Sequence, residues 1–446
     1  VLLGIAACLA LLVQYGIMTV GFVRETPGGF PRYVLRPDFI VSVTGAEILL
    51  HVDGPRLYDE GAQRVAEERV LRQAGVSVQS DRLLGFNHPP FAALVVAGLR
   101  LLGLSYSAIF LVWTVVRLVA IAAAIWALSQ AWPIRGPRGV LCALLALTFY
   151  PLIVSLQVGQ TTAFVLLGWA AGSAALRLGN DRAAGAWLAL AAFKPQYLPV
   201  LLIALAVMRR WQALGAFALT VGAMTVLAMP FAGWDWPYHY GELLLRQATQ
   251  PPNVVIDPSM MQNWRGFFMR ILNFDARAAL YAMIASAVTV LAVIAVWWHY
   301  VRRQKAEGRK QKARDGYIDV TTIEEVDGNS IDPSLQKSKI QNPKSKISLD
   351  SRLWAFTLCA AMLASYHLLY PDVTLVIVPG WVIAVLALSR PVSNPIRWAW
   401  LGWLWIGWAL GFLVNYPSIA VAYAPLWLAI TAVGLVVGRR TIDDGR

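Results

Sequence analysis

Runs of about 20 mostly apolar residues, the length that crosses a hydrocarbon core, recur along the chain between short polar breaks. They fall near residues 1–23, 88–104, 106–129, 139–155, 160–178, 183–208, 211–232, 277–301, 352–369, 373–389, 398–414 and 418–438. The pattern predicts an all-α polytopic membrane protein with about twelve transmembrane helices. Val1–Val23 is long enough to span and is expected to be a retained helix, not a cleaved signal. Two long polar intervals, 24–87 and 233–276, separate runs on one side. A third, 302–350, divides a module of residues 1–301 from C-terminal helices in 351–446. It is polar and carries KSKI twice, at 337–340 and 344–347, which reads as a low-complexity tether.

Composition sharpens this. Of the 446 residues 58% are hydrophobic and 14% charged, with a mean hydropathy of +0.57. A soluble domain is about 25% charged, so soluble multi-domain architectures are excluded. The net charge of +13 would suggest nucleic acid on a soluble protein. Here the cations lie between apolar runs, where they set orientation, and no nucleic-acid partner is expected. Cys8, Cys142 and Cys359 sit singly inside apolar runs and read as small core residues.

Residues 302–314 hold seven Lys/Arg against one Glu, a cytoplasmic marker. Counting outward puts Arg209–Arg210, Arg390, Arg397 and Arg439–Arg440 on that side, with both termini cytoplasmic and loops 24–87 and 233–276 outside. The same count strands Arg135, Arg138 and Arg182 outside and Gln160 inside. Lys194-Pro195 also interrupts the 183–208 run, where proline breaks a helix ladder. A re-entrant pair with Lys194 at its tip would satisfy Arg182, provided one crossing between 88 and 178 is also miscounted. Both readings stand on the sequence alone.

Several polar residues invite chemistry. Residues 38–50 fit a helix lying on the membrane surface, with Phe39, Ile40, Val43, Ile48, Leu49 and Leu50 burying one side. Asp38 opens that helix, as an N-cap or as a general base. Asp53 and Asp59 read as turn and surface carboxylates. Lys194 costs about 2.5–3.5 kcal/mol at mid-bilayer and so needs a partner or a route to the interface. Arg117 poses the same question and reads as half of a structural pair. In Met261-Gln262-Asn263-Trp264-Arg265-Gly266, Arg265 and Trp264 fit a phosphate grip with a sugar-stacking ring, or an interface anchor. The five His show no metal-ligand spacing, and Walker A, Rossmann and D-x-D patterns are missing. No cofactor and no metal site are expected, with a divalent cation left open.

Asp38-Phe39 … Gly45-Ala46 … Gly54-Pro55-Arg56-Leu57-Tyr58-Asp59 resembles the D-F … A … G … LYD signature of glycosyltransferase family 87. Asn87-His88-Pro89-Pro90-Phe91, Val158-Gly159-Gln160 with Lys194-Pro195, and Ser365-Tyr366-His367 through Tyr370-Pro371-Asp372 resemble its later motifs in order. His88 stands where the family more often has an aromatic residue, and Pro371 intervenes before Asp372. The resemblance implies a GT-C fold, with a catalytic module in 1–301 and a long first outer loop carrying surface helices. It implies an integral membrane hexosyltransferase, such as a mannosyltransferase, of the cell envelope. The donor would be a polyprenyl-phosphate sugar and the acceptor a glycan or glycolipid at the outer face of the cytoplasmic membrane. Asp38 would then be the base, with Lys194, His367, Arg265, His88, Gln160 and Asp372 around the donor phosphate and sugar. The competing classes are a transporter or flippase, which predicts two related halves, and a polymerase of lipid-linked glycans, which predicts a large late outer loop. Neither feature is visible.

Overall fold

The computed structural model describes residues 1–22, 25–26, 30–31, 38–51, 54–73, 85–249, 261–273, 275, 277–321, 349–413 and 417–437. Asp53, both KSKI repeats and Arg439–Arg440 lie outside these residues. Within them the chain is helical: α1 Leu2–Phe22, α2 Asp38–Leu50, α3 Glu60–Gln73, α4 Pro90–Leu101, α5 Tyr106–Ala131, α6 Pro137–Leu147, α7 Tyr150–Val158, α8 Thr162–Arg177 and α9 Asp181–Leu188. There follow α10 Leu198–Val207, α11 Trp211–Ala232, α12 Trp236–Thr249, α13 Trp264–Ile271, α14 Arg277–Thr321, α15 Ser351–Ala364, α16 Ile377–Leu388, α17 Pro395–Leu413 and α18 Pro417–Val437. The extended structure described is a two-residue ladder, Glu25–Thr26 with Phe30–Pro31.

Among the described residues, four segments are long and apolar enough to cross a membrane: Tyr106–Ala131, Trp211–Ala232, Arg277–Lys310 and Tyr370–Leu388. The pair α6–α7, bent by 47°, adds a fifth if it counts as one span. Pro90–Leu101, Thr162–Arg177, Pro195–Val207 and Ser351–Ala364 are apolar but shorter, whereas α1, α17 and α18 have 21, 19 and 21 residues. The helical membrane architecture is therefore present, while the expected runs 88–104, 139–155, 160–178, 183–208 and 352–369 are broken, bent or short. Apolar side chains point outward on the long helices, with Val115 58%, Leu219 76% and Leu291 63% exposed. Exposure on that scale is stable against lipid and costly against water. Helix α14 runs on through the basic stretch to Thr321, so the first part of the expected 302–350 tether continues this helix.

Contacts sort the helix ends into two sets. At one end, Arg177 closes α8 and donates through Nε to the carbonyl of Ala131 at the end of α5 (2.8 Å) and through Nη1 to Ser351 at the start of α15 (2.7 Å). Trp132 Nε1 joins the same Ser351 hydroxyl at 3.0 Å. At the other end, Phe39 of α2 packs edge-on against Tyr106 and Phe110 at the start of α5. Trp113 Nε1 donates to the Gly159 carbonyl between α7 and α8 at 2.9 Å. So α5 runs from the Asp38 end to the opposite end, α6–α7 return, and α8 descends again.

The 183–208 run is a hairpin, not one straight span. Arg210 Nη1 and Asp181 Oδ1, 29 residues apart, meet at 2.8 Å, which brings the end of α10 back beside the start of α9. Between them α9 passes into a 3₁₀ turn, Ala189–Phe193, and Lys194 leaves the helix at φ −139°, ψ 79° before a second turn, Pro195–Tyr197. Pro195 supplies no N–H and disfavours the helical conformation at the residue before it. That is why the chain turns at Lys194.

The run 88–104 also departs from expectation. Helix α4 has 12 residues, about 18 Å at 1.5 Å per residue. Its first turn puts Phe91 against Phe193 at the hairpin tip, and its last delivers the chain to Tyr106 beside Phe39. Both its ends lie at the Asp38 end, so it packs as a layer with α2 and does not cross. Nor is α2 a surface helix with one wet side: every residue from Phe39 to Leu49 is buried. Glu47, 2% exposed, fastens this layer by accepting from Arg100 of α4 at 2.8 Å and from Arg69 of α3 at 3.4 Å.

Candidate active site

Four elements converge at the Asp38 end. The first residue of α2 supplies Asp38, the α7–α8 junction supplies Gln160 and Thr162, the hairpin tip supplies Lys194, and the 3₁₀ segment Tyr370–Val376 supplies Asp372. Helix α7 ends at Gly159, whose φ of +83° turns the chain out of the helix. A Cβ there would lie 2.4 Å from Cβ of Phe39, so only glycine allows α2 this close. Arg117, fully buried, stabilises this end of α7 by donating through Nη1 to the carbonyls of Ser155 (3.0 Å) and Leu156 (2.9 Å). The Ser155 carbonyl also accepts from the N–H groups of Gly159 and Gln160, so Arg117 adds a cation to the negative dipole end of α7. The expected structural pair for Arg117 is thus a helix terminus, not a carboxylate.

The polar side chains form one connected chain. Gln160 Nε2 donates to Asp38 Oδ2 at 2.6 Å, and Gln160 Oε1 accepts from Lys194 Nζ at 2.8 Å and from Thr162 Oγ1 at 2.8 Å. Lys194 is ion-paired with Asp372 Oδ1, which also lies 2.6 Å from Thr162 Oγ1. Lys194, Gln160, Thr162 and Asp372 are buried, whereas Asp38 is half-buried. The two carboxylates therefore differ. Asp372 has a buried cation as partner, while Asp38 has a neutral amide and partial access.

Burial pushes the Asp38 carboxyl above the usual carboxylate range, with Lys194 and the Gln160 amide pulling it back. The ring of His88, in the loop before α4, bonds the backbone of Phe193 at the hairpin tip and feels both Lys194 and Asp372. His367, in the loop after α15, feels the same pair and Arg265. Burial lowers these imidazoles to about 3 and about 4, so both are neutral at physiological pH. Asp59, by contrast, is held below the carboxylate range by the backbone N–H of Ala62, which it caps at 2.8 Å.

The second polar interval reaches the same place. Asn263 Nδ2 donates to the Ser365 carbonyl at 2.7 Å and Gln262 N to the Leu368 carbonyl at 2.6 Å. These bonds tie the start of α13, and with it Arg265, to the Tyr366–His367 loop. Trp264 turns the other way, donating to Thr289 of α14 at 3.0 Å.

All seven residues singled out in the sequence thus lie in one neighbourhood, four in direct hydrogen-bond succession and His88, His367 and Arg265 around them. Thr162 and Asn263 were not singled out. The first follows Gln160 by two residues, a signal that was present. The second is an ordinary loop asparagine until its partners at 365 and 266 are known. Among the described residues no three His, Cys, Asp or Glu stand close enough together to hold a metal ion.

A buried cation, neutral hydrogen-bonding groups and one accessible carboxylate of raised pKa suit proton removal next to an anionic leaving group. The family model of glycosyltransferase family 87 matches residues 86–312, just over half the chain, and so includes His88, Gln160, Lys194 and Arg265. No curated protein and no solved structure matches the chain. On the family match, with these residues meeting Asp38 and Asp372 in one site, the chain belongs to glycosyltransferase family 87.

Proposed function

We propose that this glycosyltransferase moves a hexose such as mannose from a polyprenyl-phosphate donor to an envelope glycan or glycolipid. In this reading it has a GT-C fold and acts at the outer face of the cytoplasmic membrane. The observation that carries the reading is the unequal treatment of two neighbouring carboxylates. Asp372 is neutralised by Lys194. Asp38 keeps a raised pKa, a single amide partner and access.

In the transfer the acceptor hydroxyl attacks C1 of the sugar. The C1–O bond to phosphate breaks as the new C1–O bond forms, the electron pair leaves with the polyprenyl phosphate, and the hydroxyl proton passes to Asp38. Phosphate is a stable anion, so the leaving side needs cations more than an acid. Lys194 spends two of its three N–H donors on Asp372 and Gln160 and retains the third. Arg265 adds a guanidinium beside Tyr366 and His367. Direct displacement inverts C1.

The positive-inside rule supports the sidedness. With the hairpin turning back at Lys194 and α4 not crossing, Arg135, Arg138, Arg182, Arg210 and the basic end of α14 gather opposite Asp38. That end is then cytoplasmic, as are both described terminal helix ends, and Gln160 faces outward with Asp38.

Membranes carrying the protein, supplied with radiolabelled polyprenyl-phosphate mannose and acceptor extract, test the reading. Transfer with inversion at C1, lost in Asp38→Asn at normal expression, is expected. Retention at C1 contradicts it.

A further inference from the structure

The end opposite Asp38 contains a cavity of about 310 Å³ walled by Ile383, Leu386, Trp400 and Leu435, with Arg352 and Arg390 in its lining. That volume is at the lower bound of small-ligand sites, about 300–1,000 Å³. Helix α15 begins at Ser351 and α16 ends at Leu388, so antiparallel helices deliver the two guanidiniums to one place. Each keeps a buried Nη1 without a hydrogen-bond partner. Asp350 Oδ1 lies 3.7 Å from Arg352 Nε and leaves that Nη1 unpaired. Arg397, outside the lining, donates through Nη1 to the Arg390 backbone carbonyl at 2.8 Å and holds the segment that carries Arg390.

Buried N–H donors without acceptors are rare in folded proteins, and charged ones are the most costly to leave so. Two guanidiniums in the lining against one carboxylate beside it leave the locality cationic. Planar guanidinium forks match phosphate oxygens in pairs. Apolar walls with an indole next to such forks suit a phosphate that carries a hydrocarbon portion.

We propose that this cavity binds an anionic phosphate group, as a lipid headgroup or as free phosphate, far from the glycosyl-transfer site. On the positive-inside orientation the cavity faces the cytoplasmic leaflet, where anionic lipid headgroups are available. The binding does not depend on the sugar chemistry and is measured without it.

Purified full-length protein in neutral detergent is titrated with short-chain phosphatidylglycerol, phosphatidylcholine of equal chain length, and inorganic phosphate, following the thermal unfolding midpoint. A saturable upward shift with phosphatidylglycerol but not phosphatidylcholine is expected, weakened at least tenfold in apparent affinity by Arg352→Gln or Arg390→Gln. If inorganic phosphate reproduces the shift, the occupant is the free anion; if it does not, the occupant is a lipid headgroup. Leu386→Phe, which narrows the cavity and keeps both arginines, weakens the shift as well and covers the case in which an arginine variant fails to fold. Equal response to the two lipids, no response to any anion, or an anion response untouched by these variants overturns the proposal.

Discussion

Gln160 Nε2 donates to Asp38 Oδ2 across 2.6 Å, although the two residues are 122 positions apart. The same amide accepts from Lys194 through its oxygen, so one neutral side chain connects the free carboxylate to the paired one. It favours the ionised form of Asp38 without neutralising it. Asp38→Asn retains an oxygen for Gln160 but takes up no proton. Transfer should fall by about 10²–10⁴-fold, the range for a general base, with expression and unfolding midpoint unchanged.

The pH dependence follows from the same bond. A base works ionised, so activity is present above its pKa and lost as pH falls through it. Burial raises the Asp38 pKa, which puts the acid limb of the rate profile above the ordinary carboxylate range. The Gln160 hydrogen bond lowers it, so Gln160→Leu should move that limb further up. His88 and His367, lowered to about 3 and about 4, are not its source. His367→Gln should leave the midpoint of the limb in place. A rate profile of each variant against pH measures both statements.

The Lys194–Asp372 pair is buried at both ends, with side-chain exposures of 6% and 0%. Removing one member leaves the other charge uncompensated, which costs about 3–5 kcal/mol, whereas replacing both by apolar groups is often near neutral. Lys194→Met and Asp372→Leu should each lower the detergent unfolding midpoint strongly. The double variant should recover most of it and still fail to transfer sugar. Equal losses that simply add would mean the two side chains are not coupled.

Much of this architecture was legible and some was not, for physical reasons. Hydropathy found the apolar runs, and Lys194-Pro195 announced its own break. Hydropathy cannot tell lipid from protein as the apolar neighbour, so Pro90–Leu101 looked like a crossing while it packs on α2. The run 88–104, 17 residues long, stood at the lower limit for a crossing, which was the available warning. The motif residues were visible singly. Their contacts were not, because Thr162 meets Asp372 across 210 positions and nothing in either neighbourhood encodes that pairing.

Sidedness can be checked residue by residue. With Cys8, Cys142 and Cys359 replaced, single cysteines at Arg56, Arg135 and Arg182, all solvent-exposed positions, report on the ends of the molecule. A membrane-impermeant maleimide should label Arg56→Cys in intact cells, and Arg135→Cys and Arg182→Cys only after permeabilisation. Were α4 a true crossing, positions 56 and 135 would label together.

Gly159 ties the fold to the chemistry most tightly. Its φ of +83° places it in the left-handed region, and a Cβ would meet Phe39, the neighbour of Asp38, at 2.4 Å. An alanine there costs about 1–2 kcal/mol in the backbone and pushes Asp38 and Gln160 apart. Gly103 provides the control, with φ +70° and nothing within 4 Å of a built Cβ. Gly103→Ala has a comparable backbone penalty without moving the site. Gly159→Ala should therefore lose more stability than Gly103→Ala, since the Phe39 overlap adds to the shared backbone cost, and it alone should lose transfer, by about 10²-fold if the displacement approaches 1 Å. Lost transfer in the folded Gly159→Ala protein, at a temperature below both unfolding midpoints and with Gly103→Ala active, supports the Asp38–Gln160 contact as the working geometry. Equal activities in the two variants would detach that contact from catalysis.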